Sequence, residues 1–389
     1  MATGHIRKRI GKTKVTYEVI IETGSRDPVT GKRQRIYKTY KQKKDAVKAL
    51  NETVHSLNHG CYADAHNMSF STLADKWAES KKYNLKESTK SRYMQQLEWY
   101  ILPKIGKYPV DCLGADILQK YINEIYQNPP TVKNRGKPLS PKTIRNIYFN
   151  LKSIFDYAVT LKLLSSNPCK DVVLPKIEKP DVQSFSEEEI KKILTCAKDT
   201  DLFFPIYLLL NTGMRRGELL GLRWKDVHID DSGNNTIDIV QTRISVAGKE
   251  VIDTPKSRSS KRTIQLSSAA KDRFLDYRLW CRKVLLRRGK SISPDDYVII
   301  RSDGTTDSPD NFSKRWRVFL KKNNIRPLKL HCLRHTCATM LLKGNIDVKT
   351  ISSRLGHADT NLVLNTYGHT LDSMSQKAAD MIDEIINAS

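Results

Sequence analysis

Residues 167–185, NPCKDVVLPKIEKPDVQSF, set the firmest limit on what this chain can fold into. Pro168, Pro175 and Pro180 lack backbone donors and bias the residues before them away from helix, and no amphipathic period runs through the stretch. It reads as an extended linker. A single core seldom serves more than about 100–200 residues, and the chain has 389, so two or three bodies are expected on either side of such linkers.

Ahead of the linker the patterns are of two kinds. VTYEVIIETG and QRIYKTYK are β-rich runs flanking SRDPVTGKR, whose Pro and Gly mark a turn, so a hairpin is predicted. KKDAVKALNETVHSL then sets Ala46, Leu50, Val54 and Leu57 at helical spacing, one helix to pack on that small sheet. From STLADKWAESKKY onward the periods are helical, through ESTKSRYMQQLEWYILPKIG, ADILQKYINEIYQ and SPKTIRNIYFNLKSIFDYAVTLKLL. Ser140 stands there as N-cap with Pro141 at the first helical position. Arg92, Lys104, Lys107, Lys142, Arg145 and Lys152 fall on polar faces, suited either to backbone phosphates or simply to solvent.

Beyond the linker, Ser186 and Glu189 form a capping box with Phe185 placed to staple onto Ile190. Helical patterns reach Leu222. The β runs NTIDIVQTRISV, KEVIDTP and KRTIQL follow, then helices to the end, which makes this region mixed α+β.

The charge narrows the partners. Lys and Arg number 67 against 42 Asp and Glu, a formal +25, which points to a polyanion, with nucleic acid ahead of an anionic membrane surface. A merely solvated basic surface is the bland alternative. The first fifty residues carry 14 basic against 4 acidic residues, so the small sheet has its own claim on DNA, or is a plain folding cap. No run approaches the ~20 apolar residues of a membrane span, and MATGHIRKRI has no apolar signal core. Seven scattered cysteines without a C-x-x-C pair suit reduced thiols, and a cytoplasmic, nucleoid-associated protein is expected.

The segment LHCLRHTCATMLL, residues 330–342, gathers His331, Cys332, Arg334, His335 and Cys337. Four zinc ligands must converge on one point, and on a helix these four diverge, with Cys337 on the apolar stripe beside Leu333 and Leu341, so no metal is expected. His331 and Arg334 lie one turn apart on one side. An arginine at the edge of an apolar stripe needs an anion or carboxylate to justify its burial. H-x-x-R alone does not separate a structural from a catalytic use. Upstream, LLLNTGMRRGELLGLRWKDV sets Arg215 after a Gly turn at the start of an apolar helix, where backbone N–H groups also favour an anion. Lys256 ends a β run in TPKSRSSKRTIQL, and SSRLGHADTNLVLNTYGH carries His357 and Tyr367.

That ordered set resembles the tyrosine recombinases, the phage-type integrase family. TGMRRGELLGLRW is similar to the family's first arginine box, LHCLRHTCATMLL to its H-x-x-R-H-T box, and LGHADTNLVLNTYGH to its L-G-H segment with the tyrosine. Burial does not choose between Arg215 and Arg216; the family's T-G-x-R register selects Arg215. The lysine position falls on Lys256, with Arg258 and Lys261 as rivals. Glu218 reads as a residue that orients the arginine or buttresses the turn.

The resemblance covers nearly the whole chain. It implies an arm-type DNA-binding domain of a small sheet and a helix (1–62), an all-α SAM-like core-binding domain (63–174) and a mixed α+β catalytic domain (175–370). Residues 371–389 would form a carboxy-terminal helix, exchanged between protomers or packed on its own domain. It implies a site-specific recombinase that cuts and rejoins DNA through a 3'-phosphotyrosine for integration and excision of a mobile element. Arg215, Lys256, His331, Arg334, His357 and Tyr367 would be catalytic, with no cofactor and no metal. Double-stranded DNA at core and arm sites, a homotetramer at synapsis, an excisionase and a DNA-bending protein are the implied partners. A chromosome-dimer resolvase, a type IB topoisomerase-like enzyme and a non-catalytic DNA-binding regulator are the alternatives.

Overall fold

The computed structural model describes residues 3–10, 15–26, 33–58, 68–128, 138–177, 182–230, 235–253 and 261–356. The chain divides into two compact units, Met1–Lys179 and Pro180–Ser389.

In the first unit, β1 (Thr3–Ile10), β2 (Val15–Arg26) and β3 (Arg33–Tyr40) form an antiparallel sheet in sequence order, and α1 (Lys43–Asn58) packs on one face. Alternation decides the faces: Val19 and Ile21 are fully buried with Ala46, and Ile6, Ile36, Leu50 and Val54 pack around them. The predicted hairpin is β2–β3. The third strand, β1, escaped the sequence patterns because HIRKRI has only two apolar residues and lies at an exposed edge.

The rest of this unit is helical among the described residues: α2 (Phe70–Ser80), α3 (Glu87–Gln96), α4 (Leu102–Ile105), α5 (Ala115–Gln127) and α6 (Pro141–Thr160). They share a core of Phe70, Leu73, Trp77, Leu118, Ile122, Ile144, Leu151 and Phe155. Ser140 accepts the Thr143 N–H, with Pro141 in the first turn, as the sequence indicates. One turn of π-helix, Leu97–Ile101, joins α3 to α4, and the buried Asn150 amide donates to the Tyr93 carbonyl in α3. The expected linker begins later than its prolines suggest. Asn167 caps a 3-10 turn, Pro168–Asp171, and the Tyr148 hydroxyl donates to the Cys169 carbonyl, so Cys169 and Val172 belong to the helical core.

The second unit is mixed α+β. It contains α7 (Glu187–Ala197), α8 (Phe203–Thr212), the short α9 (Arg216–Gly221), and the strands β4 (Val227–His228), β5 (Thr236–Ile239), β6 (Thr242–Val246), β7 (Lys249–Asp253) and β8 (Arg262–Gln265). Helices α10 (Ser268–Leu286), α11 (Pro309–Lys322), α12 (Cys332–Lys343) and α13 (Val348–Leu355) follow. Strands β4, β5 and β8 form one antiparallel sheet, and β6–β7 form a separate hairpin. The capping box of Ser186 and Glu189 is closed in both directions at the start of α7. Phe185 and Ile190 are both buried in the unit's main core, which runs through Leu208, Leu219, Ile237, Ile264, Phe274, Trp316 and Leu333.

Candidate active site

The site begins at a backbone reversal. Helix α8 ends at Gly213, which has φ +64°, and a Cβ there would meet Leu355 Cδ2 at 2.4 Å and Cys337 Sγ at 3.1 Å. Glycine is required twice over, by the left-handed conformation and by the packing of α12 and α13 against the turn. The freed Gly213 carbonyl accepts a hydrogen bond from Arg334 Nη1 at 2.8 Å. Arg334 is almost wholly buried, so a residue on α12 and a turn 121 positions earlier are locked together.

Two residues on, Arg215 is extended and caps α9. Its backbone N–H donates to Glu218 Oε2 at 2.8 Å and its Nη1 to Glu218 Oε1 at 2.7 Å, so one carboxylate fixes both the turn and the side chain. The anion expected at the helix start is thus supplied by the chain itself. Arg215 Nη2 also reaches the Gly356 carbonyl, at 3.3 Å. Arg216 leaves in another direction, its Nη1 donating to the Pro309 carbonyl at 2.9 Å and to Ser313 Oγ at 2.6 Å on α11. Sequence spacing left the two arginines undecided; Arg216 is bonded to α11, while Arg215 lies near enough to His331 for its charge to act on the ring.

His331 stands at the N-cap position of α12 without a side-chain capping bond, its ring edge-on to His335 with centroids 4.8 Å apart. Crowding around the ring, then His335, Arg334 and Arg215, push its pKa down to about 4, against a smaller opposing pull from Glu218. The imidazole is therefore neutral at pH 7.

Glu218 sits at the centre. Burial alone would raise its carboxyl; the Arg262 hydrogen bond and charge, with the Arg215 N–H and guanidinium, overcome this and hold it below the usual range. Arg262 Nη2 lies 2.9 Å from Glu218 Oε2, and its Nη1 lies 3.3 Å from Oε1. Sequence reading passed over Arg262. The signal was present in KRTIQL, where period two puts Arg262 on the face of Ile264 and Leu266, both buried.

The structure therefore brings together three of the six predicted residues, Arg215, His331 and Arg334. Lys256, His357 and Tyr367 lie outside the described residues, as do Arg258 and the predicted carboxy-terminal helix. Among the described residues no three His, Cys, Asp or Glu side chains converge as a metal cage, and no helix is long and apolar enough to cross a membrane. Cys337 is packed against the Gly213 turn, its thiol pushed up to about 11 by burial.

Comparison with known proteins agrees with this architecture. The pattern describing the phage integrase family matches residues 183–374, and that of the phage integrase central domain matches residues 70–175. A tyrosine recombinase XerC-like protein of Caldanaerobacter subterraneus is 28% identical over 89% of this chain and 90% of its own length. The ICEBs1 integrase of Bacillus subtilis is 27% identical over 95% of this chain and 97% of its own. In three dimensions the Tn1549 transposon integrase, solved with transposon right end DNA, superposes with a TM-score of 0.65 at 22% identity, over 80% of this chain and 100% of that one. A lambda integrase tetramer bound to a Holliday junction gives 0.56 at 18% identity, over 91% of this chain and 96% of that one. At these identities the solved structures speak for the fold alone. With both family patterns placed in order along more than half of its length, the chain belongs to the phage integrase family of tyrosine recombinases.

Proposed function

We propose that this protein is a site-specific DNA recombinase that integrates and excises a mobile element, and that Arg215, His331 and Arg334 are half of its catalytic set. The observation that carries the site assignment is their convergence around the Gly213 turn from segments more than a hundred residues apart. The family and the relatives named integrase carry the reaction class.

A DNA phosphodiester is already anionic, and attack on phosphorus builds further charge on the nonbridging oxygens. Fixed, pre-oriented cations lower that barrier. Arg215 has five N–H donors and gives two to the protein, so its outer edge remains for a nonbridging oxygen. Arg334, held against the Gly213 carbonyl, supplies the second guanidinium. A phenol of pKa near 10 is mostly protonated at neutral pH, and by the resemblance His331 is assigned the Tyr367 proton as its oxygen attacks. Lys256 is assigned the proton that the departing 5'-hydroxyl needs, and His357 a further hydrogen bond to the phosphate. The 3'-phosphotyrosyl bond keeps the phosphodiester energy, so a second 5'-hydroxyl can reverse the step without ATP.

By the same resemblance we assign residues 1–62 to arm-site DNA, 63–174 to a SAM-like core-binding domain, 175–370 to catalysis and 371–389 to contacts between protomers in a synaptic tetramer. In support, the sheet face away from α1 exposes Arg7, Arg9, Arg35 and Tyr37. Its two carboxylates are occupied, Glu18 by Arg9 at 2.9 Å and Glu22 by Arg35 at 2.8 Å. An excisionase and a DNA-bending protein remain proposals from the resemblance.

The test is a nicked core-site duplex incubated with the protein in EDTA and then denatured. A covalent protein–DNA adduct is expected with wild type and none with Tyr367→Phe. An adduct in the variant would place the nucleophile elsewhere, and failure to join two different duplexes would favour a relaxing, topoisomerase-like enzyme.

A further inference from the structure

Arg262 is not one of the six residues given a part in the proposed chemistry, yet it is held at three places among the described residues. Its side chain is 6% exposed and Glu218's is 4%, so the pair is a buried ion pair and not a surface one. Nε of Arg262 donates to the Arg354 carbonyl at 2.7 Å, at the end of α13. That bond fixes the plane of the guanidinium and aims its two other nitrogens at the two oxygens of Glu218. Gly356, with φ +69°, makes room: a Cβ there would stand 2.9 Å from Arg262 Nη1 and 3.1 Å from its Cδ. Arg262 also opens β8, directly after the segment that carries Lys256.

A carboxylate shared by two arginines behaves differently from one paired with a single arginine. Were Arg262 absent, Glu218 would be a buried anion whose only strong partner is Arg215, and it would draw that guanidinium inward. With Arg262 in place, the buried side of Glu218 is satisfied, and Arg215 meets it at one oxygen through Nη1 while keeping its outer edge turned away. We propose that Arg262 is a positioning residue for strand cleavage, setting the Arg215 guanidinium through the shared Glu218 carboxylate. The inference rests on the catalytic role given to Arg215 above.

Single-turnover cleavage of the nicked core-site duplex at saturating protein, together with DNA affinity and thermal melting, tests it. Arg262→Gln is expected to slow cleavage by roughly 10- to 100-fold, the order of loss that an ångström of misplacement produces, with DNA affinity unchanged within about twofold. Arg262→Lys keeps the charge without the planar fork and is expected to lie between Arg262→Gln and wild type. It also decides the matter if the glutamine variant does not fold. Because Arg262 acts through Arg215, the double variant Arg215→Ala/Arg262→Gln is expected to cleave no more slowly than Arg215→Ala alone. Wild-type rates in both single variants, a loss confined to DNA affinity, or fully additive losses in the double variant would each overturn the proposal. Absence of an adduct with the wild-type protein would instead overturn the recombinase reading, and it is seen before any variant is made.

Discussion

Replacing Gly213 with alanine separates the cost of folding from the cost of chemistry. The residue sits at φ +64°, where an L-residue with a Cβ loses about 1–2 kcal/mol relative to glycine. The new methyl would lie 2.4 Å from Leu355 Cδ2 and 3.1 Å from Cys337 Sγ, and both neighbours are buried with little room to move, an overpacking cost of about 1–3 kcal/mol. The sum, about 2–5 kcal/mol, is read as a lower urea midpoint at unchanged slope. The same backbone shift displaces the carbonyl that holds Arg334 Nη1 at 2.8 Å, so the cleavage rate should fall by roughly 100-fold even where the variant is fully folded. Ile193→Ala is the control: Ile193 is fully buried in the same unit's core on α7, away from the site, and its truncation costs about 2–5 kcal/mol. At a temperature where both variants are folded, Ile193→Ala should cleave at the wild-type rate and Gly213→Ala should not. Equal rates in the two variants would refute the claim that this turn positions Arg334.

The adjacent arginines should part company. Arg215→Ala is expected to lower cleavage by roughly 100- to 1,000-fold with little change in melting. Arg216→Ala should lose about 1–2 kcal/mol of stability from its bonds to Pro309 and Ser313 and keep most of the rate. For His331, a folded pKa of about 4 against the ordinary 6.5 means the unfolded chain binds more protons between those values. Its contribution to stability is complete above about pH 6.5 and is lost as pH falls toward 4. His331→Asn should flatten that part of a melting-against-pH profile without abolishing it, since His335 is lowered in the same sense by burial and by Arg334. An unchanged slope would count against the lowered pKa.

Much of the fold was legible because local signals agreed with it. Ser140 with Pro141 and the Ser186–Glu189 box are complete within four residues, and the helical periods of α2, α5 and α6 each bury the face they announce. What escaped was set by distant partners. Strand β1 is recognisable only through its pairing with β2, and Cys169 and Val172 join a core built by helices earlier in the chain, where Tyr148 bonds to the Cys169 carbonyl. In the site, the boxes of residues around Arg215 and Arg334 were visible as patterns, whereas the bond of Arg216 to α11 and those of Arg262 to Glu218 and the end of α13 join segments far apart in the sequence.

That difference has a physical origin in how the site is held. Arg334 binds a carbonyl at Gly213, Arg215 reaches one at Gly356, and Arg262 binds one at Arg354, so backbone acceptors at helix ends locate the guanidinium groups. Two of these acceptors belong to glycines with positive φ, at turns where the last helical carbonyls lack partners within the helix. A carbonyl at such a turn accepts without carrying charge, so it orients an arginine without cancelling the field that a phosphate would feel. Among the described residues, the Glu218 carboxylate is shared by Arg215 and Arg262. Neutral acceptors for orientation and a shared anion let several cations stand close together in a folded protein, which is the arrangement the proposed phosphoryl chemistry would use.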